Sequence, residues 1–211
     1  MPVVWPRDRA DVFIAGWLFD ENVQDHDLPS DAVRGLTPPA GSRRHEWLLG
    51  RMAVRQAAEN ADLAGEYLDI GVSQSGAPTL RGSTWKASIT HTAGVVLAAV
   101  APTWVGIDVE RADRDVSRLS RALLESEQSL SQDVGTLSLL VAKESVAKAT
   151  TAGLGGSLQR WPVISAELGE AVKHFHVGTP HGSVIVSEVV QWRDFLVGIA
   201  LIPEHESIDA T

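Results

Sequence analysis

Cysteine is absent from the 211-residue chain. That excludes a disulfide framework and thiol chemistry, and it is compatible with the cytoplasm. An excess of positive charge is missing as well. Lys and Arg number 18 against 27 Asp and Glu, for a net charge of −9. This balance disfavours a nucleic-acid partner. Long hydrophobic runs are also lacking. The apolar run from Val12 to Phe19 is too short to span a membrane. Asp8 and Asp11 interrupt the N-terminal region, which makes it a poor signal peptide. These absences lead us to expect a soluble cytoplasmic protein with neither nucleic-acid nor membrane partners. The apolar fraction of 44% suffices for one large domain or for two small ones that share a core.

Val12 to Phe19 reads as a buried strand, with Trp5 and Trp17 packing in the first half. Residues 20–28 are acidic and polar, a loop. Ser30 or Asp31 is placed to cap a short helix ending before Gly35. Pro38-Pro39-Ala40-Gly41-Ser42 is a breaker, with Ser42 as an N-cap. A helix is predicted from Arg43 to Ala61, on the spacing of Trp47, Leu48, Met52 and Ala53. Strands are predicted over Tyr67–Val72, Ala87–His91, Val95–Val100 and Val105–Val109. Gly135 leads into a helix from Thr136 to Thr151, which the run Gly153-Leu154-Gly155-Gly156 stops. Four strands follow, near Trp161–Ala166, Val172–His176, Ser183–Val190 and Phe195–Ile202. The tail after Glu204 is polar and expected to be loose. Each half thus reads as one main helix followed by about three strands, over 1–103 and 104–211, within the α+β class.

Three motifs carry chemistry. In Val105-Gly106-Ile107-Asp108-Val109-Glu110, alternation sends Ile107 and Val109 to one face and Asp108 and Glu110 to the other. In Lys143-Glu144-Ser145-Val146-Ala147-Lys148, Glu144 and Lys148 are four apart on one helix face. Three carboxylates and a lysine then suit one hard cation, magnesium or manganese, of the kind that also binds phosphate oxygens. The bland alternatives are a solvated outer sheet face and an ordinary salt-bridged helix surface. Upstream, Ser88-Ile89-Thr90-His91 ends a strand in groups that hydrogen-bond phosphate, or else His91 is a structural histidine. Arg44, Arg51 and Arg55 fall near one stripe of the first helix, with Arg43 beside them. They read either as a phosphate clamp or as a solvated basic face.

Taken together, Ser88-Ile89-Thr90-His91, Gly106-Ile107-Asp108-Val109-Glu110 and Lys143-Glu144-Ser145 with Lys148 resemble, in order and spacing, the three signatures of the Sfp-type 4'-phosphopantetheinyl transferases. The resemblance runs from near Arg43 to near Ile202. It implies two similar α/β halves related by a pseudo-twofold, with coenzyme A in the cleft between them. It implies transfer of the phosphopantetheine arm of coenzyme A to a serine of an acyl or peptidyl carrier protein, releasing 3',5'-ADP, with magnesium. Asp108, Glu110 and Glu144 would hold the metal. Glu144, or Glu127 through water, would take the serine proton, and Lys148 would stabilise the leaving phosphate. Arg43, Arg44, Arg51, Thr90 and His91 would hold the coenzyme A phosphates. Ala77 stands where the family often has a basic residue, with Arg81 or Lys86 as substitutes, and Leu140 where it often has an aromatic one.

Other readings stay open. The same acids would serve a magnesium-dependent pyrophosphate or nucleotide hydrolase, and the two departures leave room for a member that binds without transfer. Arg111, Arg114, Arg118 and Arg121 recur at three, four, three, one stripe if helical. They form either a charge-balanced surface or a docking ridge for an acidic carrier protein. His174, His176 and His181 lack the cysteine or acid partners a zinc site needs. Two fused halves make a monomer the natural expectation.

Overall fold

The computed structural model describes residues 11–19, 43–63, 69–74, 76–151, 153–155 and 157–202, the side chain of Arg43 excepted. Trp5, the loop over 20–28, the short helix capped by Ser30 or Asp31, the Ser42 cap and the tail after Glu204 lie outside these residues. The chain divides into two compact units, Met1–Pro102 and Thr103–Thr211.

The first unit is a five-stranded antiparallel sheet with one helix. Its elements are β1 (Phe13–Leu18), α1 (Arg43–Asn60), β2 (Asp69–Val72), β3 (Pro78–Arg81), β4 (Lys86–Thr92) and β5 (Val95–Ala101). Their spatial order is β1-β5-β4-β3-β2. Every residue of β5 is buried, which its continuous run of Val, Leu and Ala allows. Its even-numbered residues Val96, Ala98 and Val100 pack under Leu49, Ala53, Val54 and Ala57 of α1. The buried stripe of α1 is thus centred on Leu49, Ala53 and Ala57 rather than on Trp47 and Met52, which are half-buried. The sequence reading missed β3, a four-residue strand opened by Pro78, because so short a segment shows no alternation. Proline is tolerated there as the first residue of a strand.

The second unit holds β6 (Trp104–Arg111), α2 (Glu125–Val134), α3 (Thr136–Ala149), β7 (Val163–Leu168), β8 (Val172–Gly178), β9 (Val184–Trp192) and β10 (Phe195–Ile202). The sheet is again antiparallel, in the order β6-β10-β9-β8-β7. Both units therefore use one topology, with the first strand beside the last and the others following in reverse. Each has four strands after its helices; in the first unit this is one more than the three predicted, and in the second it is the four predicted. Gly135 ends α2 and begins α3 at φ 86°, a left-handed conformation that a side chain would strain. The predicted stop at the glycines comes early. α3 ends at Ala149, Thr151 turns left-handed, and the Gly153 amide caps the Ala147 carbonyl at 3.1 Å.

α3 lies directly on β6 and β10, and two glycines let it come so close. A Cβ on Gly106 would overlap the Ser145 carbonyl oxygen and the Ala149 amide nitrogen. A Cβ on Gly198, the partner of Asp108 across the β6–β10 ladder, would meet the Val141 side chain at 2.7 Å. Since backbone atoms cannot move aside as a flexible side chain does, Gly106→Ala is expected to cost about 3 kcal/mol or more in urea unfolding. An unchanged unfolding midpoint would show that the helix is not seated this tightly.

Candidate functional site

Strand alternation places Gly106, Asp108 and Glu110 on the α3 side of β6, and Ile107 and Val109 on the other. α3 covers the first of these faces, so the acids are not on a solvated surface. Asp108 is only 3% exposed. From α3, Glu144 and Lys148 project back onto the strand. One carboxylate oxygen each from Asp108, Glu110 and Glu144 falls within 4.8 Å of the others. The Lys148 ammonium donates to Asp108 Oδ1 at 2.7 Å and to the Ile107 carbonyl at 3.1 Å. The Arg114 guanidinium donates to Glu110 Oε1. Two cations thus sit on two of the three acids. Glu144 makes no such pair among the described residues. Burial and the neighbouring Asp108 carboxylate push its pKa up to about 7, with Lys148 and Arg114 acting against that rise.

The donor set fits a hard divalent ion. It is all oxygen, it sits at the edge of solvent, and burial beside the Asp108 carboxylate makes the Glu144 anion costly, which a cation would offset.

Glu127 is elsewhere, and this corrects its reading as a general base. Both Glu127 and Lys143 are completely buried. Glu127 Oε1 lies 2.6 Å from Lys143 Nζ as an ion pair and accepts from the Val163 amide at 2.7 Å. Oε2 accepts from the same ammonium at 2.8 Å and from the Leu124 amide at 3.0 Å. Lys143 also donates to the Leu158 carbonyl at 3.0 Å. Burial pushes the Lys143 pKa down, and the Glu127 carboxylate works against it. A carboxylate with no exposure, held by an ammonium and two amides, is out of reach of a substrate hydroxyl. Its task is to tie α2, α3 and the start of β7 together.

The first-unit candidates separate by exposure. Thr90 and Ser88 are buried on β4, on the sheet face opposite Ile89. His91 is half-exposed, with its Nδ1 3.6 Å from Glu46 of α1. Arg44 is half-buried. Arg51 is 6% exposed, stacks 4.0 Å over the Trp47 ring and donates to the Trp47 carbonyl at 3.4 Å, and burial lowers its pKa to about 10. Arg81, offered as a stand-in for the basic residue missing at Ala77, pairs with Asp69 at 3.2 Å. Leu140 is buried in the apolar face of α3, as its type demands.

The arginine ridge is not helical. Arg111 ends β6 and clasps Asp113 through two 2.9 Å hydrogen bonds. Asp115 accepts from the Ser117 amide at 2.9 Å, and Ser120 Oγ donates to the Ser117 carbonyl at 2.8 Å. Such local side-chain bonds compete with helix formation, so the segment folds as turns with one short 3-10 stretch at Ser120–Ala122. Arg111, Arg114, Arg118 and Arg121 are all exposed but share no helical stripe. Of the histidines, His176 bonds to Ser165 at 3.0 Å and His174 faces Glu188 at 3.6 Å.

These features define a two-unit α+β protein with a lysine-flanked carboxylate site suited to a divalent cation. Residues 36–101 match the family model of the 4'-phosphopantetheinyl transferase N-terminal domain, which supports a phosphopantetheinyl transferase family for the chain. The matched segment ends before β6, so the carboxylate site lies outside it. Comparison with curated proteins found no match. No described helix is long and apolar enough to cross a membrane.

Two measurements follow from the charges. Glu144 holds its proton more tightly folded than unfolded, so its contribution to stability is complete below pH 4.5 and lost as pH rises through about 7. In chelator, the melting temperature of wild type minus that of Glu144→Gln is expected to fall across this window. A flat difference would show that Glu144 is not held in an uncompensated field. Glu127→Ala leaves a buried ammonium alone and is expected to cost ~3–5 kcal/mol by denaturant unfolding, whereas a surface carboxylate would cost almost nothing.

Proposed function

We propose that the protein transfers the 4'-phosphopantetheine arm of coenzyme A to a serine of an acyl or peptidyl carrier protein, releasing 3',5'-ADP, and that it does so as a magnesium- or manganese-dependent monomer. The observation that carries this reading is the convergence of Asp108, Glu110 and Glu144 beside Lys148, in a chain whose first unit matches a transferase domain of this family.

A divalent ion held by Asp108, Glu110 and Glu144 would supply neutralisation of the charge that builds on the pyrophosphate. Glu144 is assigned the serine proton, and burial raises its pKa to about 7, in the range of a general base. Lys148 is the donor to the leaving phosphate, held in readiness by Asp108. The coenzyme A phosphates are assigned to Arg43, Arg44, Arg51, Thr90 and His91. These groups orient the cosubstrate and do not react. Among the described members of this set His91 is half-exposed, while Arg51 is buried against the Trp47 ring. Arg118 and Arg121 are the docking candidates for an acidic carrier.

Incubation with coenzyme A, magnesium and an apo carrier protein is expected to add one phosphopantetheine arm to the carrier, read by intact mass. Glu144→Gln is expected to abolish the gain while melting no lower than wild type in chelator. Hydrolysis of coenzyme A with no modified carrier would instead mark a hydrolase. Reversing Arg118 and Arg121 to Glu is expected to raise KM for the carrier and leave that for coenzyme A unchanged. An unaltered carrier KM would remove both residues from the docking surface.

A further inference from the structure

Arg114 belongs to none of the signatures, yet it touches the carboxylate cluster. Its guanidinium donates to Glu110 Oε1, and its charge is among those that act on Glu144. The two cations at the cluster are held differently. Lys148 is on a helix, is 29% exposed at its side chain and has a second anchor in the Ile107 carbonyl. Arg114 sits on a turn, its amide bonded to the Arg111 carbonyl at 3.0 Å, with its side chain 40% exposed. Glu110, its partner, is 13% exposed at the side chain, against 4% for Asp108. The Arg111–Asp113 pair braces the turn that presents it.

We propose that Arg114 is the resident counter-cation of the carboxylate site, a positioning residue that competes with a divalent ion for Glu110. A guanidinium on Glu110 Oε1 draws on the same carboxylate charge that a metal would use, so the ion binds Glu110 more tightly when the pair is open. Arg114 can yield because it is on a turn and open to water, whereas Lys148 is built into α3. The pair offsets part of the Glu110 charge, and it raises the ion concentration at which the site fills. The inference rests on the metal-dependent reading above and adds to it a group that tunes affinity.

The test is titration of Mn2+ followed by electron paramagnetic resonance on full-length protein, with no coenzyme A present. Arg114→Gln is expected to bind Mn2+ about threefold more tightly than wild type, the size of a half-exposed ion pair. Arg118→Gln removes the same charge from the same exposed segment and is expected to leave the affinity unchanged, since screened charges that make no contact act weakly. Equal or weaker Mn2+ binding by Arg114→Gln overturns the proposal while leaving the metal site intact. Equal tightening by both variants overturns it too, because net charge alone would then account for the effect. Wild type and Arg114→Gln both failing to bind Mn2+ would overturn the metal reading and the proposal with it.

Discussion

The seating of α3 on β6 and β10 is the constraint from which the site derives. Asp108 and Glu110 come from a strand and Glu144 and Lys148 from a helix more than thirty residues later. They meet because Gly106 and Gly198 lack the atoms that would hold the helix away. Burial then does two things at once. It makes Glu144 costly to ionise, and it orders Lys148 onto Asp108. A carboxylate cluster on an open sheet face would be screened by water and hold a cation weakly. Under a helix the same groups create a demand for positive charge.

α3 is itself held in place by a second ionic arrangement that has no contact with substrate in the proposed reaction. Lys143 and Glu144 are adjacent in sequence and point in different directions. One enters the interior, where Glu127 and the Leu158 carbonyl satisfy it; the other faces β6. Rotation of α3 would have to break the Lys143–Glu127 pair and strand two buried charges, so the orientation of Glu144 is strongly held. Buried ion pairs are often poor contributors to net stability. This one is saturated on both sides by backbone groups, and its contribution is to the register of the helix.

Much of this was legible in the chain. Alternation separated Asp108 and Glu110 from Ile107 and Val109, and helical spacing paired Glu144 with Lys148. What remained hidden was long-range. Nothing local said that α3 would cover the acidic face, although a glycine two residues before Asp108 hints at a close approach. Glu127 looked available because its partner Lys143 is sixteen residues on, and sequence does not display burial of a charge. The arginines from Arg111 to Arg121 had helical spacing, yet Asp115 and Ser117 bond to each other and to the backbone and turn the chain first. On α1 the spacing of Trp47, Leu48, Met52 and Ala53 marked a helix, and the sheet beneath it selected Leu49, Ala53 and Ala57 for the core.

The shared topology of the two units has its own consequence. Counting back from the hydrogen-bonded end of each sheet, where Leu18 faces Val95 and Arg111 faces Phe195, Ala15 of β1 occupies the place that Asp108 has in β6, and Trp17 that of Glu110. Ala15 packs into the apolar cluster beneath α1, while Trp17 is partly open to solvent. One architecture is therefore used twice and charged once. Among the described residues one group of three carboxylates could hold a metal ion, and it lies in the second unit; the first unit gives the equivalent positions to apolar packing and a partly exposed tryptophan.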